Sequence, residues 1–150
     1  MKNIKSMKKD KVKVNGVTYW HPQLSNVSSK ARIGKGTVIH AFVSIHDEVV
    51  IGKHCKIEDG AKLFNGVTIE DDVFIGPEVC FTNDRNPGLR DGTFKPTSTL
   101  VRKGATIGAG ARLLAGIIIG EKAIIGMGAV VLESVPSGEL WAGIPARKIR

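Results

Sequence analysis

Aliphatic residues recur at every sixth position along most of this chain. The first series runs without exception from Val27 to Phe81, and its phase returns from Val101 to Val131 after a break over residues 82–100. A second series of small or β-branched residues follows four positions after the first. A period of six fits no α-helix, whose apolar residues recur every 3.5 or 3.6 positions, and is typical of short strands joined by corners. The first series comprises Val27, Ile33, Ile39, Ile45, Ile51, Ile57, Leu63, Ile69, Ile75, Phe81, Val101, Ile107, Leu113, Ile119, Ile125 and Val131.

Three such units predict one triangular coil of 18 residues, with equivalent strands stacked about 4.8 Å apart. The chain is therefore predicted to be an all-β parallel β-helix of about five coils over residues 27–136. Ile33, Ile51 and Ile69 should stack in one inner column. We expect the glycine that often follows the large apolar residue to turn each corner with a positive φ. These glycines are Gly34, Gly52, Gly76, Gly108, Gly120 and Gly126.

The length and the break in phase define the predicted organisation. A chain of 150 residues fits a single domain, 1–150. Residues 82–100 form a predicted loop outside the coils, and loops of this length in compact domains are usually functional. Residues 1–13 are predicted to be a flexible tail, and residues 137–150 a cap on the last coil.

Charge is concentrated at the two ends of the chain. The net charge of +8 comes from residues 1–13, which carry +5, and residues 147–150, which carry +3. The rest is neutral and shows no aromatic residues interleaved with basic ones, so the composition argues against nucleic-acid binding. Two cysteines give no disulfide framework, and no segment resembles a secretion signal or membrane span, which predicts a cytoplasmic protein without membrane insertion.

Three stretches carry a resemblance to a known group of enzymes. They are Phe81-Thr82-Asn83-Asp84-Arg85-Asn86-Pro87, then Thr99 to Gly108, and the ending Trp141-Ala142-Gly143-Ile144-Pro145-Ala146-Arg147-Lys148. Together with the repeat, they resemble the hexapeptide acyltransferase superfamily. Within it, the chain is most similar to N-acetyltransferases of nucleotide-linked amino sugars, of the UDP-2-acetamido-3-amino-2,3-dideoxyglucuronate or dTDP-3-amino-sugar type.

This resemblance implies left-handed coiling, a homotrimer and active sites between subunits. It also implies acetyl-CoA as the co-substrate and a nucleotide-linked amino sugar as the acceptor, with no metal. Our candidate substrate-binding residues in this chain are His40, Glu58 and Arg85. Cofactor binding is implied along the last coils and at the C-terminal cations, at Gly108, Ala109, Gly126, Ala129, Arg147 and Lys148.

Acetyl transfer needs a positioned nucleophile and a hydrogen bond to the developing oxyanion. Asn83 is the predicted positioning residue, since its amide both donates and accepts, and Asp84 is a candidate proton acceptor. The alternative is that Asn83 and Asp84 only begin a turn. The relatives often place amides where this chain has Glu58 and Asp59. No histidine lies in residues 82–100, which favours an amine acceptor over a hydroxyl, because an amine attacks with less help from a base.

Three other functions remain open at this stage. The first is O-acetylation of a sugar or serine hydroxyl. The second is a γ-class carbonic anhydrase, for which His40, His46 and His54 would be zinc ligands, although His40 and His46 should point about a third of a turn apart. Because one coil has 18 residues, His46 should stack in one column with Phe64 and Thr82. The third is a non-catalytic scaffold.

Overall fold

The chain folds as a left-handed parallel β-helix, as predicted. The computed structural model describes residues 11–87 and 94–150, and these contain almost no helix besides a 3-10 turn at Pro22–Leu24. The strands are β1 (Lys11–Val14), β2 (Val17–Trp20), β3 (Asn26–Val27), β4 (Arg32–Ile33), β5 (Val38–Ile39), β6 (Ser44–Ile45), β7 (Val50–Ile51), β8 (Lys56–Ile57), β9 (Lys62–Leu63), β10 (Val67–Ile69), β11 (Phe74–Ile75), β12 (Cys80–Phe81), β13 (Thr99–Val101), β14 (Thr106–Ile107), β15 (Arg112–Leu113), β16 (Ile118–Ile119), β17 (Ile124–Ile125), β18 (Val130–Val131), β19 (Leu140–Gly143) and β20 (Ala146–Lys148).

Every third strand belongs to the same sheet, which gives the helix three faces. The first sheet stacks β2, β5, β8, β11, β14, β17 and β19 in parallel, with β1 and β20 added as antiparallel strands at its two ends. The second sheet stacks β3, β6, β9, β12, β15 and β18, and the third stacks β4, β7, β10, β13 and β16. Each coil therefore places one strand on each face.

The two apolar series form the core between the sheets. Ile33 pairs with Ile51, and Ile51 pairs with Ile69, so the predicted column is confirmed. The second series also faces inward. Thr37 is its one buried hydroxyl, and it donates to the carbonyl of Gly52 at 2.8 Å and accepts from the amide of Cys55 at 3.1 Å. Burying a polar group requires such partners, and here the corner backbone provides them.

The helix is longer than the sequence indicated, with about seven turns instead of five. The repeat hides the first turn because the 3-10 turn lengthens it, so the partner of Ile39 in β2 is Tyr19, which lies outside the six-residue phase. The last turn is hidden for the opposite reason. It is shorter than the others, and Trp141, the partner of Ile125, also lies outside the phase.

Part of the predicted N-terminal tail lies within the fold. Residues 11–13 belong to β1, which pairs antiparallel with β2 at the edge of the first sheet. This hairpin was not visible in the repeat, because antiparallel strands at the end of a coil need no six-residue spacing. Residues 1–10 lie outside the described residues.

The expected role of the six glycines is wrong. Their φ angles are not positive, and the positive φ angles fall two residues later at each corner, as at Gly36 and His54. The glycines are instead required by close stacking. A Cβ added to Gly52 would lie 2.6 Å from the carbonyl carbon of Glu70 in the next coil.

The break in the repeat is an insertion between β12 and β13. Ile69 pairs with Ile51 in the preceding coil, as the repeat requires, but its partner in the following coil is Val101. The excursion ends at residue 98 instead of 100, because Thr99 and Leu100 already belong to β13. The amide of Thr97 donates to the carbonyl of Asn83 at 2.9 Å, so the returning segment is bonded to the departing one. Residues 88–93 lie outside the described residues.

Candidate active site

The chain turns a corner after each sheet, and the corner after the first sheet carries five of the eleven predicted site residues. The first corner begins with the residue that directly follows each of the paired residues Tyr19, Ile39, Ile57, Ile75, Ile107, Ile125 and Trp141 of this sheet. Strand pairing in register stacks these residues in one line along the helix axis. In chain order the line is Trp20, His40, Glu58, Gly76, Gly108, Gly126 and Ala142. The line is thus bulky and polar in its first half and nearly bare in its second half.

The polar half forms a groove, which we call the acidic groove. The Nδ1 atom of His40 lies 3.7 Å from Oε2 of Glu58 and 3.7 Å from Oδ2 of Asp59. The Nζ atom of Lys56 lies 2.5 Å from Oε1 of Glu58. The Trp20 and His40 rings stack with centroids 6.4 Å apart. The groove has a volume of about 400 Å³ and is lined by Trp20, His21, Val38, His40, Ala41, Lys56 and Asp59.

The bare half offers main-chain donors. No described residue accepts a hydrogen bond from the amides of Ala109 or Met127, which follow two of the first-corner glycines. After the third sheet, three equivalent amides are bonded to side chains: Lys53 donates to Asp71 at 2.7 Å, Lys103 to Glu70 at 2.8 Å and Glu121 to Ser137 at 3.0 Å. Ala109 and Met127 are also exposed. This stretch can therefore donate hydrogen bonds to an extended ligand lying along it.

The predicted cofactor residue Ala129 has no exposed group to offer. It is 0% exposed, its amide donates to the carbonyl of Gly126 at 3.3 Å, and its carbonyl accepts from the main-chain amide of Arg112 at 2.8 Å. It belongs to the inward-facing second series, so it packs in the core. The amides of Gly108 and Gly126 are likewise bonded within the helix. Gly108 and Gly126 contribute to the site because they place no side chain on this stretch of the first corner.

Arg147 and Lys148 lie in strand β20 of the C-terminal hairpin and are each paired with a carboxylate. Arg147 Nη1 lies 2.9 Å from Oε1 of Glu133, and Lys148 Nζ lies 2.6 Å from Oε1 of Glu139. The indole of Trp141 donates to the second oxygen of Glu139 at 2.7 Å. The bonds from Lys148 and Trp141 hold the pKa of Glu139 below its usual range. Both cations remain more than half exposed, so an anionic ligand can still reach them.

The predicted catalytic residues lie elsewhere, at the corner after the second sheet, which we call the second corner. Arg85 donates from Nη1 to the carbonyl of Ala115 at 2.8 Å, which fixes the start of the loop to the next coil. Asp84 accepts from the amide of Asn86 at 2.8 Å, as the turn alternative requires. Among the described residues, none bonds to the side-chain amide of Asn83. As far as the described residues go, this amide can donate to and accept from a ligand.

The fold thus brings part of the predicted substrate site and part of the predicted cofactor site to one corner, and leaves the predicted catalytic residues at another. His40 and Glu58 share the first corner with Gly108, Ala109 and Gly126, whereas Asn83, Asp84 and Arg85 lie on another edge of the prism. Sequence reasoning missed Trp20 and Lys56. The irregular first turn concealed Trp20. Lys56 lies two residues before Glu58 in the same coil, so its contact with Glu58 is local, and alternation along the strand could have indicated it.

The three histidines considered as zinc ligands lie on three different corners. His40 follows the first sheet, His46 the second and His54 the third. The His46 ring lies 4.5 Å from the Phe64 ring, which confirms the predicted column. Within the described parts of the chain, one group has potential metal ligands close together: atoms of His40, Glu58 and Asp59 all lie within 4.8 Å of one another. Two of these three are carboxylates, one of them paired with Lys56.

None of the helical segments in the described residues is long and apolar enough to cross a membrane.

Comparison with known proteins agrees with this architecture. The family model "Bacterial transferase hexapeptide (six repeats)" matches residues 30–65 and 98–133. A serine acetyltransferase of Buchnera aphidicola subsp. Acyrthosiphon pisum is 36% identical over 114 residues, which cover 70% of this chain and 37% of that protein.

Two solved structures are also similar. A variant of perosamine N-acetyltransferase from Caulobacter crescentus, in complex with CoA and GDP-perosamine, has a TM-score of 0.73 and 28% identity, covering 85% of this chain and 54% of that one. A variant of AntD, an N-acyltransferase from Bacillus cereus, in complex with dTDP and coenzyme A, has a TM-score of 0.70 and 25% identity, covering 84% and 81%. The chain thus spans little more than a third of the serine acetyltransferase and about half of the perosamine enzyme. With its repeat, its three-sheeted coil and these matches, the chain belongs to the bacterial transferase hexapeptide family.

Proposed function

We propose that this protein transfers an acetyl group from acetyl-CoA to the amine of a nucleotide-linked sugar, as a homotrimer. The observation that carries the proposal is the first corner. It joins a groove for a polar acceptor to a bare stretch with open main-chain donors, in one straight line. Similar structures hold CoA together with a nucleotide or nucleotide sugar, which supports the same pairing of ligands here. The free thiols of Cys55 and Cys80 fit a cytoplasmic location.

The bare stretch fits the pantetheine arm of acetyl-CoA. The arm carries amide groups, and the amides of Ala109 and Met127 are open to pair with them. The absence of side chains at Gly108 and Gly126 lets the arm approach the backbone. Arg147 and Lys148 provide cations for the phosphates in charge-assisted hydrogen bonds, after exchanging their present carboxylate partners.

The position of Asn83 supports a site shared between subunits. Asn83 and Gly76 follow consecutive strands, β12 and β11, and so belong to the same coil. A threefold axis parallel to the helix axis leaves each coil at the same height in every subunit. The second corner of one subunit can then face the first corner of its neighbour, with Asn83 level with Gly76. A trimer therefore unites the two parts of the site that a single chain separates.

The shared site assigns a role to each group. The acceptor amine lies in the acidic groove and attacks the carbonyl carbon of the thioester. The carboxamide of Asn83 both donates and accepts, so it can hold the amine or stabilise the developing oxyanion. An N–C bond forms, the C–S bond breaks, and coenzyme A leaves as the thiol. Arg85 fixes the loop that carries Asn83 through its bond to Ala115.

Thiol release from acetyl-CoA tests the proposal. The acceptors should be a panel of nucleotide-linked 3-amino and 4-amino sugars, and we expect turnover with at least one of them. Asn83→Ala should lower kcat/KM at least tenfold, because it removes the carboxamide that positions the amine or stabilises the oxyanion. Asn26→Ala, at an exposed position of β3 in the second sheet, is the matched control and should retain activity. Full activity of Asn83→Ala would show that this residue has no role in the reaction.

A second candidate, O-acetylation of serine, is favoured by the 36% identity to a serine acetyltransferase. Its product would be an ester that mild base cleaves, whereas an N-acetyl product is an amide that survives. If serine is acetylated and none of the amines in the panel is, this second proposal replaces the first.

A further inference from the structure

We infer that residues 1–10 of this chain close the N-terminal end of the β-helix by burying their apolar side chains against the open end of the core. This closure concerns the end of the helix and not the first corner, so it does not depend on the proposed function. It gives an occupant to an apolar cavity that the described residues leave uncovered.

The cavity opens at the start of the helix and has a volume of about 490 Å³. Inward-facing residues of β2, β3 and β4 line it, so its walls come from all three sheets, and two valines of β1 complete it. These apolar lining residues are Val12, Val14, Val17, Tyr19, Val27 and Ile33. The cavity is therefore the open end of the core itself and not a groove on the outer surface.

Burial of the first inward series shows that this end is uncovered. Ile45 and Ile51 in the second coil are 1% and 2% exposed. Their partners in the first coil, Val27 and Ile33, are only partly buried, although they occupy the same positions of the repeat. The difference arises because the first coil has no further coil stacked on it.

The two ends of the helix differ in this respect. Ala146 of the C-terminal hairpin belongs to the buried core together with Val135, and each is 2% exposed. At the N-terminal end, β1 extends only the first sheet, and β3 and β4 are the edges of the other two sheets. Stacked repeats need a cap at each end, because a terminal repeat cannot bury its inner surface alone. The described part of the chain supplies such a cap at the C-terminal end.

The segment before β1 starts at the edge of the opening. The Nζ atom of Lys11 lies 5.2 Å from the centre of the Trp20 ring, and the next residues along β1 line the cavity. Val12 and Val14 remain 41% and 50% exposed there. Ten residues span about 33 Å when extended or about 15 Å as a helix. One side of the coil is a single six-residue unit, so residues 1–10 are long enough to cross the opening.

The composition of this segment suits the cavity. Met1, Ile4 and Met7 recur at every third position, with lysines between them. In a helical turn this spacing places the apolar side chains on one side and leaves the lysines to solvent. Methionine also fills irregular apolar spaces well, because its side chain is unbranched and flexible. The charge of the segment predicted a flexible tail, whereas the cavity offers its apolar residues a place to pack.

A second copy of the chain placed end to end is the competing occupant. Such a contact would bring together the outermost strands of both copies, which carry the exposed side chains of Lys11 and Lys13. Like charges facing each other in an interface oppose association. The attached segment has a high effective concentration at the opening and can turn its lysines away. It is therefore the favoured occupant.

Unfolding and hydrogen exchange of the whole chain test this closure. The test variant combines Ile4→Gln with Met7→Gln, and the matched control combines Lys5→Gln with Lys8→Gln in the same segment. Thermal unfolding measures stability, and a fluorescent dye that binds apolar surface measures the opening of the cavity. Hydrogen exchange locates the change, and light scattering gives the mass of the assembly.

We expect the test variant to melt at least about 4 °C below the parent protein. It should bind at least about twice as much dye, because the cavity becomes open to water. Amide exchange should accelerate in β3 and β4 and stay unchanged in β15 and β18, near the other end. The control variant should match the parent protein in all of these measurements, and the mass should be the same for all three proteins.

Three results would overturn the inference. Equal melting temperatures of the test and control variants would show that Ile4 and Met7 bury nothing. Exchange that accelerates equally at both ends would show that the segment does not act at the opening. A parent protein whose mass doubles with concentration, and a test variant whose mass does not, would assign the cavity to a second copy of the chain.

Discussion

At the scale of single residues, the glycines of this helix are of two kinds with different physical causes. Gly36 and Gly128 have positive φ angles, which other residues adopt at a cost, and His54 and Lys122 do so at equivalent corners. Gly52 has an ordinary φ but no room for a Cβ. The sequence shows both kinds as the same letter, and only the stacking of neighbouring coils separates them.

This difference gives a prediction on stability. Gly52→Ala places a Cβ 2.6 Å from a backbone carbon of the next coil, and backbone in a stacked sheet cannot yield easily. We expect a loss of about 2 kcal/mol of unfolding free energy, as for other overpacked sites. Gly128→Ala meets no atom within 4 Å and is destabilised only by its positive φ, about 1 kcal/mol. Denaturant unfolding measures both, and a Gly52→Ala protein as stable as the parent would contradict the steric explanation.

Core residues could be predicted from the sequence, whereas corner contacts could not. The inward position of Ile51 or Ala123 follows from alternation along a strand, which is local. The contact of Arg85 with Ala115 crosses the insertion between β12 and β13, where the repeat gives no register. The two predicted catalytic residues show the same limit: Asp84 is used in a turn, while the side-chain amide of Asn83 has no partner among the described residues.

At the scale of elements, the C-terminal hairpin closes the first sheet and carries the two cations proposed for phosphate binding. Glu139 links its strands, since Lys148 donates to one carboxylate oxygen and Trp141 to the other. The hairpin also explains why the repeat could not be followed to the end. The chain shortens its last turn to bring Trp141 onto Ile125, and a count of sixes loses phase there.

Neutralising this link gives a prediction with a defined pH dependence. The pKa of Glu139 is lowered in the folded state, so its stabilising effect is present above its unfolded value of about 4.3 and is lost as the pH falls through the lowered value. Glu139→Gln should therefore lower the melting temperature at pH 7, and the gap to the parent should close in acid. Thermal unfolding from pH 7 to pH 3 measures this, with Glu121→Gln as control. A gap that is independent of pH would mean that packing, and not charge, links the strands.

At the scale of the whole molecule, the separation of the site over two corners has a consequence for catalysis. A single chain contains both Asn83 and Ala109, but on different edges of the prism. If the trimer brings these edges together, each site takes its loop from one subunit and its cofactor stretch from the next. A trimer that mixes subunits with a defective loop and subunits with a defective cofactor stretch can then still contain an intact site.

Coexpression of two inactive variants tests this arrangement. Asn83→Ala removes the positioning amide, and Ala109→Trp adds bulk at an exposed position on the cofactor stretch. Each variant alone should have little activity. In mixed trimers, a site is intact when its loop comes from an Ala109→Trp subunit and its first corner from an Asn83→Ala subunit, which random assembly produces at about a quarter of the sites. Every mixed trimer contains one such intact site among its three, so purified mixed trimers should recover about a third of the parent turnover.

The control is a chain that carries both substitutions, coexpressed with the Asn83→Ala chain. No pairing of these two chains restores the loop amide, so activity should stay at the level of the single variant. Recovery in the first mixture alone would require that loop and cofactor stretch come from different subunits. Absence of recovery in trimers shown to be mixed would mean that each chain builds its site alone, and the separation of Asn83 from the first corner would then exclude Asn83 from the reaction.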